Sequence, residues 1–117
     1  MNYAVVGFGT AGYHAVKAIR ACDMEGEIDV YSNPGRAPYN PMLTTYYAFG
    51  KLEFDGLFPF GDLDQIRKEI SFHLIQEPVI RVHAKEHLVE TKQQTKQYDR
   101  ILIATGARAF APPVKGL

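Results

Sequence analysis

A chain of 117 residues with 13 Lys and Arg against 13 Asp and Glu has no net charge, so nothing electrostatic favours nucleic acid or an anionic membrane surface as a partner. Its 46% hydrophobic content suits one small globular core, but no apolar run reaches the roughly 20 residues of a bilayer crossing and no secretory leader pattern opens the chain, so a cytoplasmic location is expected. The single cysteine, Cys22, excludes an internal disulfide.

Residues 3–7 read as a short buried strand that runs directly into Gly7-Phe-Gly-Thr-Ala-Gly12. Gly7, Gly9 and Gly12 have the dinucleotide-binding spacing. The first permits a tight turn, the second lets backbone N–H groups approach a pyrophosphate, and the third lets the following helix pack close to its strand. The helix N-terminus, with Thr10 and Ala11, offers free N–H donors and a partial positive charge to an anion. Residues 11–22 read as that helix, with Ala11, Ala15, Ala18, Ile19 and Cys22 as its packing face. Gly26 marks a turn, and residues 28–31 read as a second strand in which Asp29 is expected to be exposed.

Ser32 to Pro38 is a loop by its Pro, Gly and Asn content. A short helix is expected between Met42 and Phe49, ended by Gly50, followed by an aromatic-rich loop from Phe54 to Gly61. Asp62 is a plausible N-cap for a helix through Ile70, with Leu63, Ile66 and Ile70 on one face. Residues 72–75 read as a third parallel strand, and residues 79–83 and 87–91 as an antiparallel excursion. Residues 93–96 read as a polar turn, and Tyr98 to Ala104 as a returning buried strand. The pattern is α/β: a Rossmann-like, three-layer dinucleotide-binding domain with a parallel sheet and a small antiparallel excursion. His83 and His87 are four apart, but they fall on a strand–turn–strand segment rather than a helix, so no metal site is expected.

Gly7 to Gly12, Pro38-Tyr-Asn-Pro-Met-Leu43 and Tyr98-Asp-Arg-Ile-Leu-Ile-Ala-Thr-Gly106 together resemble the flavoprotein pyridine nucleotide–disulfide oxidoreductase superfamily, in its NADH oxidase, rubredoxin reductase and nitrite reductase branch. The resemblance spans essentially the whole chain. It implies FAD as cofactor and NAD(P)H as co-substrate, with electrons passed on to an acceptor that this segment does not identify. In that family the FAD domain is discontinuous, so residues 1–117 are expected to be its first segment. Such a segment is expected to self-associate as a dimer or larger assembly and to be inactive alone. The resemblance also assigns backbone contact with adenine to Val79, the ADP side of the pocket to Ala104, Thr105 and Gly106, and the isoalloxazine side to the loop of Tyr39. Pro41 stands where related enzymes carry a redox cysteine, so a thiol–disulfide step has no nucleophile there. Tyr39, Tyr46 and Tyr47 read equally well as aromatic core or as flavin contacts.

One position departs from the pattern. A Rossmann-type site wants an acid at the end of strand two to accept from ribose hydroxyls, and Ser32 stands there. A serine hydroxyl binds a ribose oxygen more weakly than a carboxylate does. Ser32 and Asn33 with Arg36 could instead hold the 2′-phosphate of NADP. An NADP-binding module and a cofactor-free interaction domain that kept the fold are therefore the alternatives.

Overall fold

Alternation along two short strands sets the architecture. In β1 (Asn2–Val6), Val5 faces one side of the sheet while Ala4 and Val6 face the other; in β2 (Glu27–Tyr31), Ile28 and Val30 face the first side and Asp29 and Tyr31 the second. All of these residues are buried. Both faces must therefore be covered, as the helices and crossovers of parallel sheets usually do. The computed structural model describes residues 1–116.

The parallel sheet has the order β3-β2-β1-β7, with β3 at His73–Ile75 and β7 at Arg100–Ile103. Helices α1 (Thr10–Cys22) and α3 (Leu63–Glu69) cover one face, through a core of Val5, Phe8, Tyr13, Val16, Ile28, Val30, Ile66, Ile70 and Phe72. A second, antiparallel sheet covers the other face: β4 (Val79–His83), β5 (Leu88–Thr91) and β6 (Thr95–Gln97). Its Val89, with Tyr98, packs on Ala4, Val6 and Tyr31. The result is the expected three layers. A 3₁₀ turn over Pro41–Leu43 leads into the short α2 (Thr44–Ala48).

Several local expectations hold for the reasons given. Asp62 and Gln65 form a capping box: the Asp62 carboxylate accepts from the Gln65 N–H and the Gln65 side chain accepts from the Asp62 N–H, both at 2.8 Å. Others are corrected. The buried face of α1 is Gly12, Tyr13 and Val16, with Ile19 partly buried, whereas Ala11, Ala18 and Cys22 are exposed. Phe8, Phe60 and Phe72 supply the bulk that selects this face, and Tyr13 stacks on Phe60 with ring centroids 4.0 Å apart. The polar turn expected at 93–96 is tighter, and Thr95 to Gln97 pair with β5. Strand β7 begins at Arg100 and is not buried: Leu102 and Ile103 remain 42% and 61% exposed, because β7 is the sheet edge. Tyr39, Tyr46 and Tyr47 are also exposed, so they are not core. No helix among the described residues is long and apolar enough to cross a membrane.

Candidate functional site

The carboxyl ends of β1, β2 and β3 open onto a cleft of about 980 Å³, the position at which open α/β sheets bind ligands. The glycine turn forms its floor. Gly7 has φ of +104°, a left-handed value that only glycine adopts freely. A Cβ on Gly7 would also strike the Ala104 carbonyl and approach Thr105 Cα at 3.1 Å. The two sequence motifs, from opposite ends of the sequence, thus meet in direct backbone contact. A Cβ on Gly12 would strike the Gly7 carbonyl, which is the close helix–strand approach its spacing implied.

Gly9 is different. Its backbone (φ −86°, ψ −158°) is one any residue adopts, and a Cβ there would meet nothing within 4 Å. Neither strain nor internal packing calls for glycine at this position, and Gly9 lines the cleft. Gly9 is the N-cap of α1 and offers no side-chain cap, and no acidic residue stands in the first turn. The leading N–H groups of α1 therefore lack side-chain partners, and the helix dipole presents positive potential there. Arg36 and Arg108 add positive charge to the walls. Donor set, cradle and volume fit the pyrophosphate and adenosine of a dinucleotide.

Of the residues singled out in the sequence, Gly7, Gly9, Thr10, Ser32, Asn33, Arg36, Tyr39, Val79, Thr105 and Gly106 line this one cleft. Ala11, Gly12 and Ala104 do not line it; Gly12 and Ala104 support the turn from behind. Pro41 also lines the cleft, so the position resembling a redox cysteine faces the site without a thiol. Cys22, at the far end of α1, is about 20 Å away along the helix axis. Sequence reasoning missed Glu77, Pro78 and Arg108, which lie on the walls; they sit in connections whose course only the folded sheet defines.

A second polar cluster lies behind the cleft wall. Asp29, expected to be exposed, is 2% exposed, because β4–β6 covers the face it shares with Tyr31. Lys96 Nζ and Tyr98 OH donate to Asp29 Oδ2 at 2.7 Å each, and His73 Nδ1 lies 3.0 Å from Oδ1. The Tyr98 and Tyr31 hydroxyls are 2.6 Å apart. Burial pushes the Asp29 carboxyl up, but the bonds from Lys96, Tyr98 and His73 outweigh it and hold the group below its ordinary range. The bond to Asp29 raises Lys96, against a smaller opposing effect of burial. Burial, then the Tyr31 and Asp29 bonds, push Tyr98 up, so it stays a neutral donor. Every polar atom of the Asp29 carboxylate is satisfied. His83 pairs with Glu90 at 3.0 Å and His87 occupies the β4–β5 turn; no metal-ligating cluster occurs among the described residues.

Comparison with known proteins places this geometry in context. The family model described as "Pyridine nucleotide-disulphide oxidoreductase" matches residues 1–117. The chain is 28% identical to the NADH-dependent phenylglyoxylate dehydrogenase subunit epsilon of Aromatoleum evansii, over 99% of this chain and 28% of that protein. It is 27% identical to a nitric oxide reductase FlRd-NAD(+) reductase of Vibrio vulnificus, over 96% of this chain and 29% of that protein. The water-forming NADH oxidase from Lactobacillus brevis, solved bound to NADH, superposes with a TM-score of 0.84 at 22% identity, over 97% of this chain and 27% of that one. The chain thus spans less than a third of the length of these relatives.

Proposed function

The chain belongs to the pyridine nucleotide-disulphide oxidoreductase family, and from that premise we propose that it is the FAD-binding portion of an NAD(P)H-dependent flavoprotein oxidoreductase. The observation that carries the reading is Gly9. It is a glycine that its own fold does not require, at an uncapped helix N-terminus, and it lines a cleft of dinucleotide size. In this reading the backbone N–H groups at Gly9 and Thr10 hold the pyrophosphate at the start of α1, Val79 meets the adenine, and Thr105 and Gly106 close the ADP side. Ser32, Asn33 and Arg36 lie toward the ribose, and Tyr39 stands toward the isoalloxazine. When bound, the flavin supplies the redox chemistry, accepting hydride from NAD(P)H and passing electrons on.

This chain's own residues bind and orient. Pro41 in the cleft means that no protein thiol shares the redox work at that position, which favours a direct electron acceptor over a disulfide substrate. Residues 1–117 form the first segment of the FAD domain in this reading, supported by the share of each relative that they cover. A cytoplasmic location and self-association as a dimer or larger assembly belong to the same reading; the open β7 edge with Leu102 and Ile103 supports the latter. A second reading, an NADP-binding module, is favoured by the placement of Ser32, Asn33 and Arg36 in one cleft. Absorption spectroscopy decides between the two. The full-length protein should be yellow and bleach with NAD(P)H; a colourless protein that binds NADP tightly supports the second reading instead.

A further inference from the structure

Glu77 is the one carboxylate among the residues lining the cleft, and it does not stand where a Rossmann-type strand would place an acid. Resting on the dinucleotide reading above, we propose that Glu77, on the β3–β4 connection, accepts from the ribose hydroxyls of the adenosine half in place of the acid absent from the end of β2.

The backbone brings it there. The Ser32 N–H donates to the Ile75 carbonyl at 3.1 Å, and the Gly35 N–H donates to Gln76 Oε1 at 3.3 Å. Residues 75–77 therefore run beside the loop that leaves β2, and Glu77 reaches the wall that Ser32 and Asn33 also line. Ser32 is poorly placed to substitute for an acid, since its hydroxyl already leans toward the Pro34 carbonyl at 3.4 Å.

The Glu77 carboxylate is fixed from the β5–β6 side. Thr91 Oγ1 donates to Oε1 at 2.7 Å and Gln94 Nε2 donates to Oε2 at 3.1 Å. An ionised carboxylate has about four lone-pair sites, so two bonds leave it able to accept more. A side chain already held in place loses little rotamer freedom on binding. A ribose diol offers two donors to this acceptor, whereas a 2′-phosphate offers only acceptors and negative charge. Glu77 therefore selects an unphosphorylated adenosine ribose, as in FAD, over an NADP-type ribose.

Titration calorimetry on the flavin-free full-length protein tests this with ADP, 2′,3′-dideoxy-ADP and adenosine 2′,5′-bisphosphate. Glu77→Gln should weaken ADP about tenfold, the scale of a charged hydrogen bond over a neutral one. It should change dideoxy-ADP less than twofold and tighten the 2′-phosphate compound. Glu77→Asp, which keeps the charge, should keep the rejection of the 2′-phosphate. Equal weakening of ADP and dideoxy-ADP would overturn the proposal and leave Glu77 as a brace for the β5–β6 turn, as would an ADP affinity within twofold of wild type. Failure of the underlying reading looks different: the wild-type protein would bind neither ADP nor FAD, and the proposal would fall with it.

Discussion

The two faces of β2 end in opposite kinds of polar site. At its carboxyl end the cleft gathers donors without partners: the uncapped start of α1, Arg36 and Arg108, around a glycine whose Cβ would touch nothing. Two residues earlier, on the face toward β4–β6, Asp29 has three partners within 3.0 Å and is sealed from solvent. Burying a charge is costly unless it is paired and hydrogen-bonded, so the Asp29 cluster is complete as it stands and locks two sheets together. The cleft, by contrast, leaves the leading N–H groups of α1 without side-chain partners. Asp29, with every acceptor satisfied and its side chain buried, serves the fold; those N–H groups are open to a ligand.

The glycines offer the largest test of this contrast. Gly12→Val should cost about 3 kcal/mol or more, since its Cβ would collide with the backbone carbonyl of Gly7, which cannot swing away. Chemical denaturation measures it, and the loss should appear without any ligand present. Asp29→Asn should cost about 2 kcal/mol, by weakening charged hydrogen bonds in a buried setting. Affinity for FAD should stay within about twofold of wild type once the folded fraction is accounted for.

The same substitution carries a pH signature. The Asp29 pKa is depressed in the folded protein, so its contribution is fully present above the ordinary carboxylate value of about 3.9. That contribution disappears as pH falls through the depressed folded value. Lys96 is raised; its contribution is complete below the ordinary lysine value and is lost as pH rises through the folded one. Denaturation across pH should therefore show a wild-type advantage over Asp29→Asn that is flat at neutral pH and shrinks in strong acid. An advantage that persists undiminished at pH 2 would remove Asp29 from the account.

These contrasts also separate what was legible in the sequence from what was not. The glycine turn and the Asp62 N-cap depend on short-range geometry, which residue type and spacing encode directly, whereas the role of Ala104, Thr105 and Gly106 was legible only through the family resemblance. Asp29 was misread because alternation says only that a residue faces away from its neighbours. It does not say that another sheet will cover that face; Tyr31, an aromatic two residues later on the same face, was the available hint. Cys22 and the face of α1 were misread because small residues tolerate either environment, and Phe8, Phe60 and Phe72 decided the matter from elsewhere in the chain. Glu77 could not be found from spacing at all, since its place depends on how β3 lies beside β2.

A smaller effect is expected at the ribose end. Ser32→Glu should strengthen FAD binding by about 1 kcal/mol, the gain of a charged over a neutral hydrogen bond, and should weaken NADP by repulsion. Two dissociation constants on one variant measure it. A loss of NADP affinity with no gain for FAD would favour the second reading of the cleft.

Gly9→Val tests the central claim most directly, in paired measurements of unfolding and FAD titration on the full-length protein. The substitution fits the backbone and meets open space within the fold, so stability should change by no more than about 1 kcal/mol, the scale of an altered N-cap. FAD affinity should fall at least about a hundredfold, because the new side chain occupies the pyrophosphate's approach to the helix N-terminus. Unchanged FAD affinity would contradict the account, as would a stability loss matching that of Gly12→Val.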